Sequence, residues 1–428
     1  MRKSALAALL AASCIHIAPH PIAPLETAAA FEKRTLDTSQ TWDLHALTDA
    51  ALRFHPDLDL ARAHAAVVRA AAITAAARPD PTLNANVEHK SEPKTSPWIT
   101  LLGIDVPIET ANKRGLRVRV ANDAARAADF AVADQAWQIR SAVRAQLVAY
   151  AAAQRSVETL TRQRALNYEI VDMLEKRVVA GEGSTPDVTQ ARIAARQTAL
   201  LIHDRATQAA EARTRLAAAI GVPAKALNEI KLVFDLGLSG AAAPPPPQSN
   251  ESRIVALTQR PDILAALADY AQSESALRLE LAKQYPDLHI SPGFGWDQGF
   301  ARWALGFSAS APIFSRNRGP IAEAEARRKE SEAKFIVLQA HVIAALDEAN
   351  VRLEQARAKV AEVDAIVALD RQRVDQAQKA FDAGEADRLA LRTAQLELQS
   401  ALLAQTDALA DVQAAIGAVE DAMQQEVK

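Results

Sequence analysis

Two stretches of the chain alternate between apolar residues and small or polar residues with a period of two. The clearer one, residues 286–312, holds two runs separated by the turn residues Asp297, Gln298 and Gly299. Its apolar positions share one side of each run: Leu288, Ile290, Pro292, Phe294 and Trp296, then Trp303, Leu305, Phe307, Ala309 and Ala311. This alternation predicts a β-hairpin with one apolar face and one small, polar face. Because an isolated hairpin is not stable in water, we expect it to pair with further strands.

Most of the remaining chain follows a helical pattern. In residues 320–380 apolar side chains recur at alternating intervals of three and four positions, and residues 386–425 repeat that spacing. Such heptads are typical of coiled coils. A short glycine-containing turn between two of them predicts an antiparallel helical hairpin.

The hairpin pattern occurs a second time, 205 positions earlier in the chain. Trp303 corresponds to Trp98, and the correspondence extends over more than fifty residues without a gap. Farther along, the turn residue Gly384 corresponds to Gly181 at an offset of 203. A period of about 200 residues indicates that the chain contains two copies of a complete architecture.

Prolines and turn residues divide the chain into segments. Before the repeats we expect a signal peptide at residues 1–14 and an extended segment at 15–41. Each repeat should consist of a helix, a hairpin, a long helix, a turn and a returning helix. The first repeat covers residues 42–240, with its hairpin at 82–107 and its turn at 181–184. A proline-rich linker follows at 241–250. The second repeat covers residues 251–428, with its hairpin at 286–312 and its turn at 384–387.

The segment lengths predict an elongated molecule. No proline or glycine lies between residues 116 and 179, and a helix of that length extends about 95 Å. Two shorter helices stacked end to end would match it, although His55-Pro56 should interrupt the first helix of the chain. We expect a rod about 100 Å long with the β-hairpins at one end and the helical turns at the other.

Composition favours long helices and argues against several functions. Aromatic residues make up only 4% of the chain, and alanine dominates the apolar total, which suits helices packed closely through small side chains. The net charge of −3 and the lack of a basic run argue against nucleic acid as a partner. No phosphate-binding loop, His-Glu-x-x-His motif or nucleophile elbow occurs, so we assign no catalytic residue, no cofactor and no enzyme activity.

The N-terminus has the features of a secretory signal. Arg2 and Lys3 precede an apolar stretch that is too short to span a bilayer as a helix. Cys14, the only cysteine, follows this stretch as in a bacterial lipoprotein box, so we predict that Cys14 is lipidated. The alternative is cleavage farther along, after residues 28–30, which would discard Cys14.

The predicted strands are compatible with a membrane only if several chains assemble. Each strand has about 9–11 residues, the length of a tilted membrane strand. Four strands cannot close a barrel, since small membrane barrels have at least about eight. If the strands span a membrane, two chains would supply eight of them and three chains twelve.

Particular residues around the hairpins resemble a known family. In the second copy they are Arg260-Pro261-Asp262, Tyr285-Pro286-Asp287-Leu288, Ala311-Pro312-Ile313-Phe314 and Asn317-Arg318-Gly319; in the first copy they are His55-Pro56-Asp57-Leu58, Pro107-Ile108-Glu109 and Asn112-Lys113-Arg114. Over residues 42–425 the duplicated plan is similar to the outer-membrane efflux proteins of the TolC superfamily. The form Ile108-Glu109-Thr110 most resembles the heavy-metal (cobalt–zinc–cadmium) branch.

The resemblance implies both a fold and a function. The fold would be mainly α with a small membrane β part, made of duplicated long antiparallel coiled coils and four β-strands per chain. Three copies would form a twelve-stranded β-barrel in the outer membrane on an α-helical tunnel in the periplasm. This passive duct would dock onto a periplasmic adaptor and an inner-membrane efflux pump of the RND type, and would export heavy-metal cations or small toxic compounds.

The two helical tips are the candidate contacts with the adaptor, by the same resemblance. They comprise Gly181, Glu182, Gly183 and Ser184 in the first copy, and Gly384, Glu385, Ala386 and Asp387 in the second. The alternative is that the glycines only provide the left-handed turn that a helical hairpin needs.

Asp187 is a candidate aperture residue. Some members of the family close the tip with a ring of aspartates on the helix after this turn, and Asp187 matches that position. The second copy has Ala390 and Thr393 at the corresponding places, and an acid in a first helical turn is also favoured by the helix dipole.

Aromatic and histidine residues of the hairpins have two interpretations each. Trp98 and Trp303 begin strands, where they would form an aromatic girdle at a membrane surface or simply pack. His289 belongs to the polar side of its strand and His89 lies in or near another strand. Neither has further ligands at metal-binding spacing, so we expect pore-lining histidines and no metal site.

Two other classes of protein share part of this pattern. A periplasmic adaptor also contains a helical hairpin, but only one, flanked by β-rich halves, and the duplication argues against it. A secreted structural coiled-coil protein would explain the heptads but neither the signal peptide nor the paired strands.

Overall fold

The computed structural model describes residues 18–91, 97–237, 249–297, 299–310 and 314–426. The helices of this part are α1 (Pro24–Glu32), α2 (Leu44–Phe54), α3 (Pro56–Ala76), α4 (Lys113–Val179), α5 (Thr185–Ile220), α6 (Ser249–Thr258), α7 (Pro261–Ala282), α8 (Arg318–Asp382) and α9 (Arg388–Met423). The strands are β1 (Thr41–Trp42), β2 (Thr82–His89), β3 (Trp98–Ile108), β4 (Lys231–Leu232), β5 (Leu288–Asp297) and β6 (Phe300–Ala309).

The two longest helices form the shaft of an elongated molecule. α4 has 67 residues and α8 has 65, which corresponds to about 100 Å each. In the half nearest the large sheet α4 lies between α3 and α7, and in the other half it lies between α5 and α9. α8 packs beside α7 and then beside α9. The shorter helices therefore stack end to end along the long ones, as the sequence predicted.

The large sheet joins the two copies at one end of the shaft. Its strand order is β2-β3-β5-β6, and every neighbouring pair is antiparallel. The central pair, β3 and β5, comes from different copies, whereas β2 and β6 are the two edges. This is the mainly helical architecture with four antiparallel strands that the sequence predicted. The short strands β1 and β4 pair in parallel elsewhere.

Two hydrophobic clusters lie where the short helices meet end to end. The first contains Leu47, Leu58, Val143, Leu216 and Leu227, and the second contains Ile263, Leu346, Val412 and Val419. Burial stabilises each of these side chains by about 1.5–3 kcal/mol. The core therefore fixes the middle of the rod and leaves its two ends less tightly packed.

The N-terminal segment differs from the expectation. Residues 15–41 were predicted to be extended, but in their described part Pro24–Glu32 is a helix. Pro24 occupies its first turn, a position that favours proline, and the alanines that follow have high helical propensity. None of its residues is buried, so the helix lacks the apolar period by which packed helices are recognised.

The first helix of the second copy also differs from the expectation. The second repeat was predicted to have a single helix before its hairpin, but α6 ends at Thr258 and α7 begins at Pro261. Arg260, which precedes the proline, is extended, as His55 is in the first copy. The guanidinium of Arg260 donates to the carbonyl oxygens of Asp421 (3.0 Å) and Ala422 (2.6 Å). These hydrogen bonds satisfy two carbonyl groups in the last turn of α9, where carbonyls lack partners within the helix.

Candidate functional site

The register of the large sheet separates its residues into two faces. Leu102, Phe294 and Trp303 are successive cross-strand partners and lie on one face. This apolar face is open in the single chain: Trp303 is 82% exposed and Phe307 is 73% exposed. An apolar surface of this extent indicates a partner of apolar character.

The opposite face of the sheet carries mostly small and polar residues, and its apolar exceptions on β3 include Ile99 and Leu101. Gly103 pairs with Gly293 at its centre. Nearer to the helices, the carboxylate of Asp105 lies 2.7 Å from Nδ1 of His289 and accepts a hydrogen bond of 2.6 Å from the Ser291 hydroxyl. These contacts connect β3 to β5, and hence the first copy to the second. The face has the character expected of the lining of an aqueous pore.

The two histidines lie on opposite faces of the sheet. His289 is on the polar face, as its position in the alternation predicted. His89 was also expected to line the pore, but this prediction is wrong: it is on the apolar face, where its ring centroid lies 4.8 Å from that of Trp98. Among the described residues there is no group of three or more side chains that could hold a metal ion.

An ion-pair cluster connects the hairpins at the end of the sheet that is remote from the shaft. Lys90 Nζ lies 3.1 Å from Asp297, and Arg302 lies 2.9 Å from the other oxygen of the same carboxylate. Lys90 follows β2 in the first copy, whereas Asp297 ends β5 in the second. The cluster holds the turn ends of the two hairpins together.

Both helical tips end α4 and α8 with the same left-handed turn. Gly181 has φ of +78° and Gly384 has φ of +77°. The next residue then donates its backbone N–H to the preceding helix: Glu182 to the Arg177 carbonyl at 2.9 Å, and Glu385 to the Ala380 carbonyl at 2.8 Å. This glycine-terminated turn reverses the chain within a few residues. It leaves residues 181–184 of the first tip exposed.

The structure brings the two tips of one chain into contact. Arg177, in the last turn of α4, forms an ion pair with Asp387, the residue that precedes α9. The other oxygen of Asp387 accepts a 2.8 Å hydrogen bond from the Ala390 backbone N–H and so caps α9. The Ala390 N–H and the Arg177 guanidinium hold the pKa of Asp387 below its ordinary value of 3.8.

The position of Asp187 is compatible with both of its interpretations. It lies in the first turn of α5, next to Pro186, with its side chain exposed. In the second copy the corresponding residue is Ala390, and the nearby Thr393 directs its hydroxyl to the Leu389 carbonyl of its own helix. One chain therefore contributes one such acid, from its first tip.

Sequence reasoning missed two features of these surfaces. It placed Trp296 on the apolar side of its strand but did not group it with Trp98 and Trp303, although all three are exposed. Arg177 was not recognised, because its partner Asp387 is 210 positions away in the sequence. The available signal for this pair was a basic residue one turn before one tip together with an acidic residue at the other tip.

Two further observations concern membrane attachment. Cys14 lies outside the described residues. No helix in the described ranges is both long enough and apolar enough to cross a membrane.

Comparison with curated proteins and protein families identifies relatives of both copies. The family model of the outer membrane efflux protein matches residues 47–222 and 255–423. The cobalt-zinc-cadmium resistance protein CzcC of Cupriavidus metallidurans is 25% identical over 260 residues. That match covers 60% of this chain and 60% of CzcC, so the chain aligns with less than two thirds of the length of this relative.

Solved structures of outer-membrane channels share the fold. The channel OprN superposes with a TM-score of 0.73 and 18% identity, covering 92% of this chain and 95% of OprN. VceC of Vibrio cholerae superposes with a TM-score of 0.72 and 19% identity, covering 90% of this chain and 97% of VceC. CusC superposes with a TM-score of 0.69 and 18% identity, covering 93% of this chain and 96% of CusC.

The family match accounts for both repeats. Proteins of this family are non-enzymatic efflux channels of the outer membrane that extend into the periplasm. Because the two matched segments together make up more than half of the sequence, the chain belongs to the outer membrane efflux proteins of the TolC family.

Proposed function

We propose that three copies of the chain form the passive exit duct of a tripartite efflux system. The observation that carries this proposal is the four-stranded sheet, whose edge strands β2 and β6 pair on one side only within the chain. A ring in which β6 of each copy pairs with β2 of the next removes all edges. Three copies give twelve strands, which is above the minimum of about eight for a membrane barrel.

The shaft supports the same head-to-tail arrangement. Exposed apolar side chains lie on the helices at both margins of the chain: Val67 and Ile73 on α3 and Leu200 on α5 at one margin, and Val351 and Leu369 on α8 at the other. Two different surfaces of one chain that complement each other form a heterologous interface, and a rotation of one third of a turn closes it into a ring.

The experiment that tests the duct compares charges placed on the two faces of the sheet. Leu305 lies on the apolar face and Ala304 on the polar face of the same strand. An arginine on a lipid-facing position costs about 2–4 kcal/mol at the bilayer midplane. Leu305→Arg should therefore abolish outer-membrane recovery of a trimer-sized species and its conductance in planar bilayers.

The Ala304→Arg variant is the matched control of that experiment. It should still insert as a trimer and should change only the conductance or ion preference, because its side chain would face the pore. Equal tolerance of both variants, or a wild-type protein that stays a monomer without conductance, would contradict the duct.

The tips are the proposed contact with a periplasmic adaptor, through which an RND-type pump of the inner membrane delivers its substrate. Glu182 and Glu385 occupy equivalent positions on the two turns, both exposed. A photo-crosslinker at either position should capture the adaptor in intact cells. The same crosslinker at Arg162, on the exposed side of α4, is the control that should not.

The proposed substrates are heavy-metal cations, with small toxic compounds as the alternative. Support comes from the similarity to a protein named for cobalt, zinc and cadmium resistance. Deletion of the encoding gene should lower the tolerance of the host to these three metals, and re-expression should restore it. Sensitivity to organic compounds alone would favour the alternative.

We also propose that Cys14 carries a lipid that anchors the chain to the outer membrane. Labelled palmitate should enter the wild-type protein and be absent from Cys14→Ser. Label in both proteins would contradict the anchor. So would a mature protein whose first residue follows residues 28–30 of the full sequence, because Cys14 would then have been removed.

A further inference from the structure

Four exposed arginines lie at the level where the large sheet meets the shaft, two on the β2 side of the chain and two on the β6 side. Arg114 lies in the first turn of α4, Arg316 and Arg318 lie at the start of α8, and Arg78 lies between α3 and β2. The Nε of Arg114 donates to the Ala76 carbonyl at 2.6 Å, which places it beside the segment that contains Arg78. We name these four residues the basic collar. They are dispersed in the sequence, and only the fold brings them to one level.

Most carboxylates at this level already have other cationic partners. The pairs are Lys113–Asp287 at 2.7 Å, Lys283–Glu280 at 2.6 Å, and Arg117–Glu109. Within the part of the chain that the structure describes, no arginine of the basic collar belongs to an ion pair. Asp80 is an exposed acid beside them. Four arginines against this one acid give the collar a net positive charge.

Two aromatic side chains accompany the basic collar. Phe314, between β6 and α8, is 99% exposed, and Tyr285, before β5, is 62% exposed. Trp296 and Trp303 lie toward the far end of the sheet, each 11 positions along the chain from Tyr285 and Phe314 respectively. The strand between Tyr285 and Trp296, β5, has 10 residues and spans at most ~33 Å. Tilted as in a barrel, this strand matches the ~25 Å apolar band between two aromatic girdles.

The basic collar would therefore lie at the periplasmic surface of the membrane. If the proposed ring forms, β6 of one copy meets β2 of the next, which moves Arg316 and Arg318 toward Arg78 of the neighbouring copy. Like charges at such a junction repel each other unless an anion lies between them. The phosphate of a lipid headgroup is the anion available at this depth, and arginine binds phosphate in a bidentate manner.

We propose that the basic collar, with Tyr285 and Phe314, binds the anionic headgroups of glycerophospholipids in the periplasmic leaflet of the outer membrane. This inference rests on the proposed membrane duct, since it needs the sheet to span a bilayer. Each basic residue near an anionic membrane surface contributes about 1 kcal/mol, which is about a fivefold change in binding. Several arginines per copy would make the duct selective for anionic lipid at the periplasmic surface of the membrane.

The test measures lipid retention by the whole protein. Wild type is reconstituted into vesicles of phosphatidylcholine with a minor fraction of phosphatidylglycerol, extracted in mild detergent, and analysed by native mass spectrometry. The triple variant Arg114→Gln, Arg316→Gln and Arg318→Gln removes charge from the basic collar. The matched control removes three exposed arginines far along the shaft: Arg162→Gln, Arg196→Gln and Arg371→Gln.

Wild type and the control should retain phosphatidylglycerol in preference to phosphatidylcholine, and added salt should weaken this preference. The collar variant should insert equally well but lose at least about tenfold of the preference. An unchanged preference in the collar variant would overturn the proposal. The proposal would also be overturned if the trimer of the collar variant dissociated while its lipid binding stayed intact, because the arginines would then stabilise contacts between copies. Failure of the wild type to enter any bilayer would overturn the duct and the collar together.

Discussion

Arg140 on α4 and Glu420 on α9 form an ion pair of 3.0 Å in which only 11% and 7% of the two side chains are exposed. Arg144, one turn farther along α4, lies 3.4 Å from the same carboxylate, and burial lowers its pKa. Residues of the two copies thus share a nearly dry site in the middle of the shaft. An acid between two arginines in such a place holds the copies in register.

Removing the acid of this site should be strongly destabilising. Glu420→Ala removes the ion-pair partner of the buried Arg144 and leaves Arg140 with the exposed Glu426 as its counter-ion, and breaking a buried pair in this way costs about 3–5 kcal/mol. We expect the midpoint of urea unfolding, followed by helical circular dichroism, to fall accordingly.

Glu426→Ala is the matched control for that prediction. Glu426 lies 2.9 Å from Nε of the same Arg140, but it is 60% exposed. Surface ion pairs contribute about 0–1 kcal/mol, so this variant should unfold close to wild type. Similar losses in both variants would show that the buried position of Glu420 is not what matters.

The ion pair between Arg177 and Asp387 should hold the two tips of a chain together. Asp387→Asn keeps an oxygen that can cap α9 but removes the charge, whereas Asp387→Ala removes the cap as well, which costs about 1 kcal/mol. Amide hydrogen exchange at residues 177–187 should accelerate in both variants, and exchange in the first turn of α9 should accelerate much more in Asp387→Ala. Unchanged exchange across both tips would mean that the pair is not formed in solution.

The same pair predicts how the tips respond to acid. Since the pKa of Asp387 is lowered in the folded protein, its carboxylate contributes stability that is present above the ordinary value of 3.8. That contribution is lost as the pH falls through the lower, folded-state pKa. Exchange at the tips, corrected for the intrinsic effect of pH, should differ between wild type and Asp387→Asn at neutral pH and converge in strong acid. A constant difference at all pH values would contradict this assignment.

A glycine of the sheet gives a test of its packing. A Cβ at Gly295 would lie 2.3 Å from the Thr100 carbonyl oxygen on the neighbouring strand, so β3 or β5 must shift to accept it. Overpacking of this kind costs about 1–3 kcal/mol, and Gly295→Ala should reduce the yield of folded, heat-modifiable trimer on unheated gels.

Gly306→Ala is the comparison for Gly295→Ala, because its Cβ would meet only ordinary contacts of 3.5 and 3.6 Å around Ser291. This variant should fold with near wild-type yield. If it is as defective as Gly295→Ala, any side chain on the polar face disturbs assembly, and the close approach of Thr100 is not the cause.

The parts of the fold that could be predicted from sequence are those with a local period. Strands β5 and β6 alternate strictly because one face meets an apolar partner and the other does not. The long helices were equally visible because their seams repeat over many turns. α1 was missed because it buries nothing, and the break before Pro261 was visible only through its equivalence with Pro56.

The sites could be predicted only where the residues are close in sequence. The turns at Gly181 and Gly384 could be predicted because each needs a residue in the left-handed conformation, which glycine adopts readily. Arg140 and Glu420 are 280 positions apart, and the basic collar combines residues from three separate segments. No periodicity links such residues, so they become apparent only once the helices are packed side by side.

The aromatic residues of the sheet allow membrane contact to be separated from simple packing. The ring of Trp303 lies 4.7 Å from that of Phe294, yet its side chain is largely exposed, whereas Trp137 in the shaft donates to Asp421 at 3.0 Å. In vesicles of brominated lipid, a variant that retains only Trp303 should lose most of its fluorescence, and one that retains only Trp137 should lose little, because the shaft stands outside the bilayer. A variant that retains only Trp98 should behave like the first. Quenching at Trp98 and Trp303 as weak as that at Trp137 would show that Trp98 and Trp303 pack within the protein, and the girdle would then have to be abandoned.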